Sequence, residues 1–433
     1  MAGPFRRVQI AEGVSFSAVQ DHKFKHNRLS LSLIMPLEEG KLSQRAIVPF
    51  ILRQATRKYP DITKLNEQLS DLYGAALEAS VDKFGAYQLM NLGVVGIDSR
   101  FAFDGEDMQQ ELAQLLADIL LDPLVENGAF NPQETELEKE YLRDSIEAEI
   151  NEKRSYALLR CKNALCAGES LALHKLGTVE EVAAITAESA YHSYEELLNQ
   201  AQIEIIMTGP GDPEKACEAF RQRFAGRERH PITVDVGQCR KLPLTGEQDI
   251  REEMDVKQGK LVLAFRTDLE GSAEELAASR MAVTLLGGIP TSLLFMNVRE
   301  KLSLCYYCAA RLDTVTGIMM VDSGVEAENC EKTKEEILRQ LELICRGDFE
   351  EQLLTETKLF MKTAFKATGD SLSALESWYL TRILCGEIVS PEENLALCQA
   401  VTKEQIIAAA KKLQLGMVYR LLPKANGEVE EDE

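Results

Sequence analysis

The sequence predicts an α+β protein of two homologous halves, each an antiparallel-dominated sheet packed with helices. Three observations carry that expectation. A strand–helices–hairpin–helix order occurs twice along the 433 residues. Each hairpin pattern turns on a glycine, Gly85 and then Gly317, set between runs of alternating apolar and polar residues. Each half also closes with a Thr in an N-cap position, Thr186 or Thr402, ahead of a helical run and a short β run. One hydrophobic core rarely organises a chain this long, so two or more domains are the starting expectation.

Taken in order, HNRLSLSLIMPL reads as a strand and LEASVDKFGAYQLMNLGVVG as the first hairpin. In DMQQELAQLLADILLDP, residues Leu112, Leu115, Leu116 and Ile119 recur at helical spacing. Asn131, Pro132 and Glu134 supply an N-cap, a proline at the first helical position and an acidic residue three after the cap. They open a long helix through ELEKEYLRDSIEAEINEKRSYALLRC. TGPGD at 208–212 is a turn, because it lacks the Lys-Ser/Thr and the glycine spacing of a phosphate loop. A polar, irregular stretch over 226–254 reads as a linker between domains at 1–225 and 255–433. The second half repeats the order: the strand GKLVLAFRTDL, a helix capped by Ser272 with Glu275, the hairpin CYYCAARLDTVTGIMMVDSGV and the helix NCEKTKEEILRQLELI. Trp378, in LESWYLTRIL, is expected in a helix core, and the acidic ending NGEVEEDE as a frayed tail.

Composition narrows the function. Seventy acidic residues against 48 basic ones give a formal charge of −22, which repels phosphate backbones and anionic membranes. No nucleic-acid or membrane partner is therefore expected. No apolar run is long enough to span a bilayer, and the opening MAGPFRRVQIAEGVSF lacks the apolar core of a secretory leader. A cytoplasmic location is expected. The ten cysteines are scattered and read as free, packed thiols of a reducing compartment. Cys305 and Cys308 form the one CxxC. Residues three apart on a strand point to opposite faces, so this pair reads as packing, with metal or redox chemistry as the alternative. No second CxxC completes a zinc site. His22 and His26 would stand roughly 13 Å apart on a strand, beyond the reach of one zinc ion, and read as a basic surface strand edge. His174, His192 and His230 are isolated.

The stretch LLGGIPTSLLFMNVREKLSLCYY contains Gly287-Gly288, Ser292-Leu293-Leu294-Phe295, Val298-Arg299-Glu300-Lys301 and Ser303-Leu304-Cys305-Tyr306. Here strongly, and more weakly over nearly the whole chain, the sequence resembles the insulinase/pitrilysin family, in particular its processing-peptidase branch. That resemblance implies two halves closing as a clamshell. Active relatives carry His-x-x-Glu-His on a helix, where two histidines bind zinc and the Glu activates the bound water. Alignment through Thr56 places this motif on Ala46-Ile47-Val48-Pro49-Phe50, so the metal-site positions are Ala46, Pro49 and Phe50. None of the three can ligate zinc. The third ligand, a Glu in active relatives, falls on Asp144 or Ser145.

The family's second half contributes an Arg and a Tyr that hold the substrate backbone, and the resemblance carries these onto Arg299 and Tyr306. A guanidinium and a phenol are donors suited to carbonyl oxygens. The alternative is an ordinary surface ion pair for Arg299 and core packing for Tyr306. The resemblance thus implies a catalytically inactive subunit with no catalytic residue, metal or cofactor of its own. It would bind peptide and pair with a zinc-bearing sibling to form a proteolytic chamber, or form a homodimer in isolation. A non-proteolytic peptide-binding or scaffold protein on the same fold is the competing reading.

Overall fold

A computed structural model describes residues 5–103, 105–240, 246–269 and 271–424. The ending NGEVEEDE lies outside them. The first six strands are β1 (Arg6–Ala11), β2 (Val14–Gln20), β3 (His26–Pro36), β4 (Ala76–Phe84), β5 (Tyr87–Ile97) and β6 (Gln202–Gly209). They form one sheet in the order β1-β2-β6-β3-β5-β4. A five-stranded sheet follows, from β7 (Gln248–Met254), β8 (Gly259–Thr267), β9 (Cys305–Asp313), β10 (Ile318–Val325) and β11 (Leu413–Pro423), in the order β7-β11-β8-β10-β9. Pairing is antiparallel except between β2 and β6 and between β7 and β11. Both hairpins form where the sequence placed them, and Gly85 and Gly317 take the left-handed φ values of 58° and 67° that their turns require. Fold class and repeat are therefore as the sequence predicts.

The compact units are not the two contiguous segments expected. One unit comprises Met1–Glu147, Leu173–Asp235 and Ala367–Ser390; the other comprises Ala148–Ala172, Val236–Lys366 and Pro391–Glu433. Each takes a helix from the other half of the chain. The physical reason lies in the central strands, β3 and β8, whose residues are buried on both faces. In the first unit, Leu29, Leu31 and Leu33 pack into the main core with Ile47, Leu52, Leu112 and Leu116. On the opposite face, Val19 meets Leu375 and Tyr379 of the helix Leu372–Leu384, alongside Phe5, Phe24 and Trp378. Arg28 of β3 forms an ion pair with Glu376 of that helix. Trp378 is thus in the packed layer as expected, with its indole N–H donating to the Val389 carbonyl at 2.8 Å.

The second unit repeats the solution. The helix Lys153–Leu165 buries Ala157 and Cys161 against Val262, Ala264, Met417, Tyr419 and Leu421. Phe265 faces the other way, beside Leu341 and Ile407 of the helices Cys330–Arg346 and Lys403–Lys411. The long helix expected from Asn131 is really two, Pro132–Ala148 and Lys153–Leu165, separated by a 3₁₀ turn at Glu149–Asn151. That break lets one run of helical sequence serve both units. Both Thr caps are present, with Thr186 and Thr402 each in a reciprocal capping box.

Three strands escaped the sequence reading. β1, β2 and β7 are short, and β7 lies inside the stretch read as linker. QDIREEM looks like polar loop because only Ile250 and Met254 pack on the core. Its Glu252 accepts hydrogen bonds from Tyr156 at 2.9 Å and Tyr419 at 2.7 Å and pairs with Arg160 at 3.3 Å. The strand that begins at His26 is interior to its sheet, not an edge, since β3 pairs with both β5 and β6. Among the described residues, no helix is long and apolar enough to cross a membrane.

Glu252 links pH to the seating of its helix. Burial alone would raise its pKa, but the bonds from Tyr419, Tyr156 and Arg160 outweigh burial and hold it below the ordinary glutamate value. A depressed folded-state pKa stabilises above the unfolded value and is lost as pH falls through the folded one. Glu252→Gln is therefore expected to cost about 1 kcal/mol at pH 7, after solvent screening. In thermal unfolding the gap between wild type and variant should narrow below about pH 4, in the glutamate range. A gap that stays constant with pH would remove the carboxylate from this role.

Candidate functional site

The candidate site lies in the second unit and is built from the helix Ala273–Gly287 onward. Ser272 caps this helix, its hydroxyl accepting from the Glu275 N–H at 3.3 Å, while Glu275 accepts from the Gly271 N–H at 2.9 Å. The helix end presses onto β9. A Cβ on Gly287 would stand 2.6 Å from the Ala310 nitrogen, so this contact admits only glycine. The chain then turns into a π-helix, Leu294–Lys301, whose wide i→i+5 closure includes the Leu302 N–H to the Asn297 carbonyl at 3.2 Å. Leu294 and Val298 anchor its buried side.

Arg299 stands on the open side of this helix. It lies over the Phe295 ring at 4.6 Å and reaches the Glu300 carboxylate at 3.6 Å. It borders a cavity of about 300 Å³ shared with Arg154, Gly287, Phe295, Tyr307 and Cys308. Arg154 stacks on the Tyr307 ring at 4.3 Å and donates to Asp322 at 2.5 Å. Burial pushes the Tyr307 phenol up to about 12. Sequence reading did not find Arg154. It is contributed by the exchanged helix Lys153–Leu165, 168 residues from Asp322, and no local motif marks it.

Tyr306 does not share that cavity. It is 59% exposed, and its hydroxyl donates to Glu326 at 2.7 Å, a bond that raises the phenol pKa. A β-bulge explains the split. Ser323 pairs with Cys308, Gly324 with Tyr307 and Val325 with Cys305, which leaves Tyr306 as the extra residue. β9 is an edge strand, so Tyr306 projects beside unpaired backbone. The bulge also corrects the reading of Cys305 and Cys308. Their partners Val325 and Ser323 are two apart on β10, so the two thiols lie on one face, not on opposite faces.

In the first unit, Ala46, Pro49 and Phe50 are all buried. Pro49 is tolerated because it sits in the first turn of the helix Val48–Leu52. Phe50 packs on Tyr141 with ring centroids 5.3 Å apart, and Arg53 lies over the Phe50 ring. Just past this segment, Glu138 accepts from Gln54 at 2.5 Å and stands 4.0 Å from Arg53. Asp144 is exposed beside Arg143, and Ser145 donates to the Tyr141 carbonyl. An alanine methyl, a proline ring and a phenyl ring offer zinc no donor, so these positions do not fit the metal. Among the described residues, no three His, Cys, Asp or Glu side chains converge to hold an ion.

Comparison with known proteins resolves the ancestry. A Bacillus subtilis (strain 168) protein described as "Probable inactive metalloprotease YmfF" is 30% identical over 409 residues, 94% of this chain and 96% of its own. Residues 184–360 match the family described as "Peptidase M16 inactive domain". The chain belongs to the M16 peptidase family. Many solved structures share its fold, two of which illustrate it. A conserved protein from Enterococcus faecalis V583 matches with a TM-score of 0.87 and 27% identity over 98% of this chain and 100% of that one. A peptidase M16 inactive domain from Pseudomonas fluorescens matches with a TM-score of 0.80 and 16% identity, over 98% and 99%. This is an inactive, peptidase-like M16 protein.

Two substitutions probe the backbone that carries the candidate site. Ser303 holds a φ of 49°, the left-handed region glycine favours. Ser303→Gly is expected to stabilise by about 0.5–1 kcal/mol. Gly287→Ala is expected to destabilise by about 2 kcal/mol, since the new methyl meets backbone and not a movable side chain. Thermal unfolding should move in opposite directions for the two variants. A destabilised Ser303→Gly would show that its side chain, not φ, decides this position.

Proposed function

We propose that this M16 chain is the non-catalytic, peptide-binding subunit of a two-chain peptidase. A sibling bearing His-x-x-Glu-His would supply zinc and the catalytic Glu, and the two chains together would enclose the proteolytic chamber. The observation that carries this reading is the retention of Arg299 and Tyr306 on surface segments around an edge strand, while the metal positions Ala46, Pro49 and Phe50 have become core. An extended peptide can add to β9 through main-chain hydrogen bonds. Arg299, whose only ion pair among the described residues is with its neighbour Glu300, then offers guanidinium N–H donors to a substrate carbonyl. Tyr306 offers a second donor by leaving Glu326. Arg299 and Arg154 both line the cavity, and their guanidinium donors suit a carbonyl oxygen or an acidic side chain of the bound peptide. The ten free cysteines fit a reducing, cytoplasmic setting.

The test is reconstitution. Mixing the chain with a purified zinc-motif sibling from the same genome should produce chelator-sensitive cleavage of an unstructured peptide that neither chain achieves alone. Arg299→Ala in this chain should lower kcat/KM at least about tenfold, with pairing intact by gel filtration. Tyr306→Phe should have a smaller effect in the same direction. A sibling equally active alone would overturn the subunit reading. Co-purification with an unrelated protein and no sibling would favour a scaffold.

A further inference from the structure

We propose that Cys305 and Cys308 form a reversible dithiol–disulfide site, at which Cys305 reacts with a hydroperoxide and Cys308 resolves the product. Nothing in M16 peptide recognition calls for this pair, and the inference stands whether or not β9 binds peptide. It rests on the bulge. In a regular strand these side chains would face apart, but the extra residue Tyr306 returns both to the face carrying Ser323 and Val325. Residues paired with two positions of one strand that are two apart lie about 6.6 Å from each other. That is at the upper end of the roughly 4.4–6.8 Å between Cα atoms that a disulfide spans, so the bond forms with a small inward shift of the bulge.

The surroundings divide the labour between the two sulfurs. The Cys308 thiol bonds to the Cys305 sulfur and Arg299 adds a positive field, while the Ser323 hydroxyl beside them donates to the Tyr307 carbonyl at 2.9 Å. Together these hold Cys305 at about 7, led by the bond from Cys308. Cys305 is half-buried and reachable, whereas Cys308 is buried at the edge of the 300 Å³ cavity and is pushed well above the ordinary thiol value. Asp322, Tyr307, Arg154 and Lys260 are further charged and titratable groups beside the pair. Other cysteines differ. Cys161, Cys217, Cys330, Cys345 and Cys398 are all raised by burial.

The chemistry balances with a hydroperoxide as the oxidant. The Cys305 thiolate attacks the terminal oxygen, the O–O bond breaks and an S–O bond forms, and the departing hydroxide or alkoxide takes up a proton. The product is a sulfenic acid. Cys308 then attacks that sulfur, the S–S bond forms and the S–O bond breaks, and hydroxide leaves with the Cys308 proton as water. Two thiols lose two electrons and two protons; the peroxide gains them. A dithiol reductant reverses the step.

The experiment needs only the folded chain. Iodoacetamide at pH 7 should label Cys305 at least about tenfold faster than Cys345, because the thiolate fractions differ. Stoichiometric hydrogen peroxide followed by non-reducing peptide mapping should then show a Cys305–Cys308 link that dithiothreitol removes. Cys308→Ser should stop at a sulfenic acid on Cys305 that dimedone traps. Cys305→Ser should abolish both products, with circular dichroism unchanged. If wild-type Cys305 remains a thiol after peroxide, or advances to sulfinic acid while Cys308 stays free, the proposal is overturned.

Discussion

The arrangement depends on burying the central strands β3 and β8 on both faces. A strand with apolar residues on one side needs one covering layer; these two need a second. Helices adjacent in sequence supply the first layer. The second comes from Lys153–Leu165 for one sheet and Leu372–Leu384 for the other, each drawn from the opposite half of the chain. Burying a side chain such as Leu375 or Tyr379 contributes on the order of 1.5–3 kcal/mol. Directional bonds then fix the seat, through Arg28 with Glu376 and through Tyr156 and Arg160 with Glu252. The hydrophobic term decides that the helix docks, and the polar contacts decide where.

The same exchange shapes the candidate site. Arg154 enters it only because Lys153–Leu165 belongs to the second unit, and it stacks on Tyr307 within one wall of the cavity. The opposite wall is set by the Gly287 contact with Ala310 and by the π-helix that presents Arg299. Between them the bulge in β9 turns Tyr306 outward and Cys305 and Cys308 to a common face. One inserted residue thus separates the exposed phenol from the thiol pair. A regular strand would have placed neither where it is.

The positions that the resemblance assigns to a metal are filled here as ordinary core. Ala46 and Phe50 are small and large apolar residues in a packed core, and Pro49 occupies a first helical turn where no hydrogen bond is forfeited. A carboxylate and imidazoles held there for a metal would be costly to bury without one. Apolar replacements remove that cost. Glu138, buried nearby, is satisfied by Gln54.

The sequence by itself determined whatever is local. Period-two and helical spacing placed β3, β8, both hairpins and the main helices, and capping chemistry placed Thr186, Thr402 and Ser272, because these depend on neighbours within one turn or one strand. The segment from Gly287 to Tyr306, with Arg299 in it, was singled out by resemblance. Tertiary structure alone decided the rest. β7 looks like linker until its parallel pairing with β11 is known, and the exchanged helices assign residues to a sheet more than 100 positions away. Tyr306 and the two thiols took their directions from a bulge whose cause lies in the register with β10. Register is a long-range property, and no pattern within CYYC carries it.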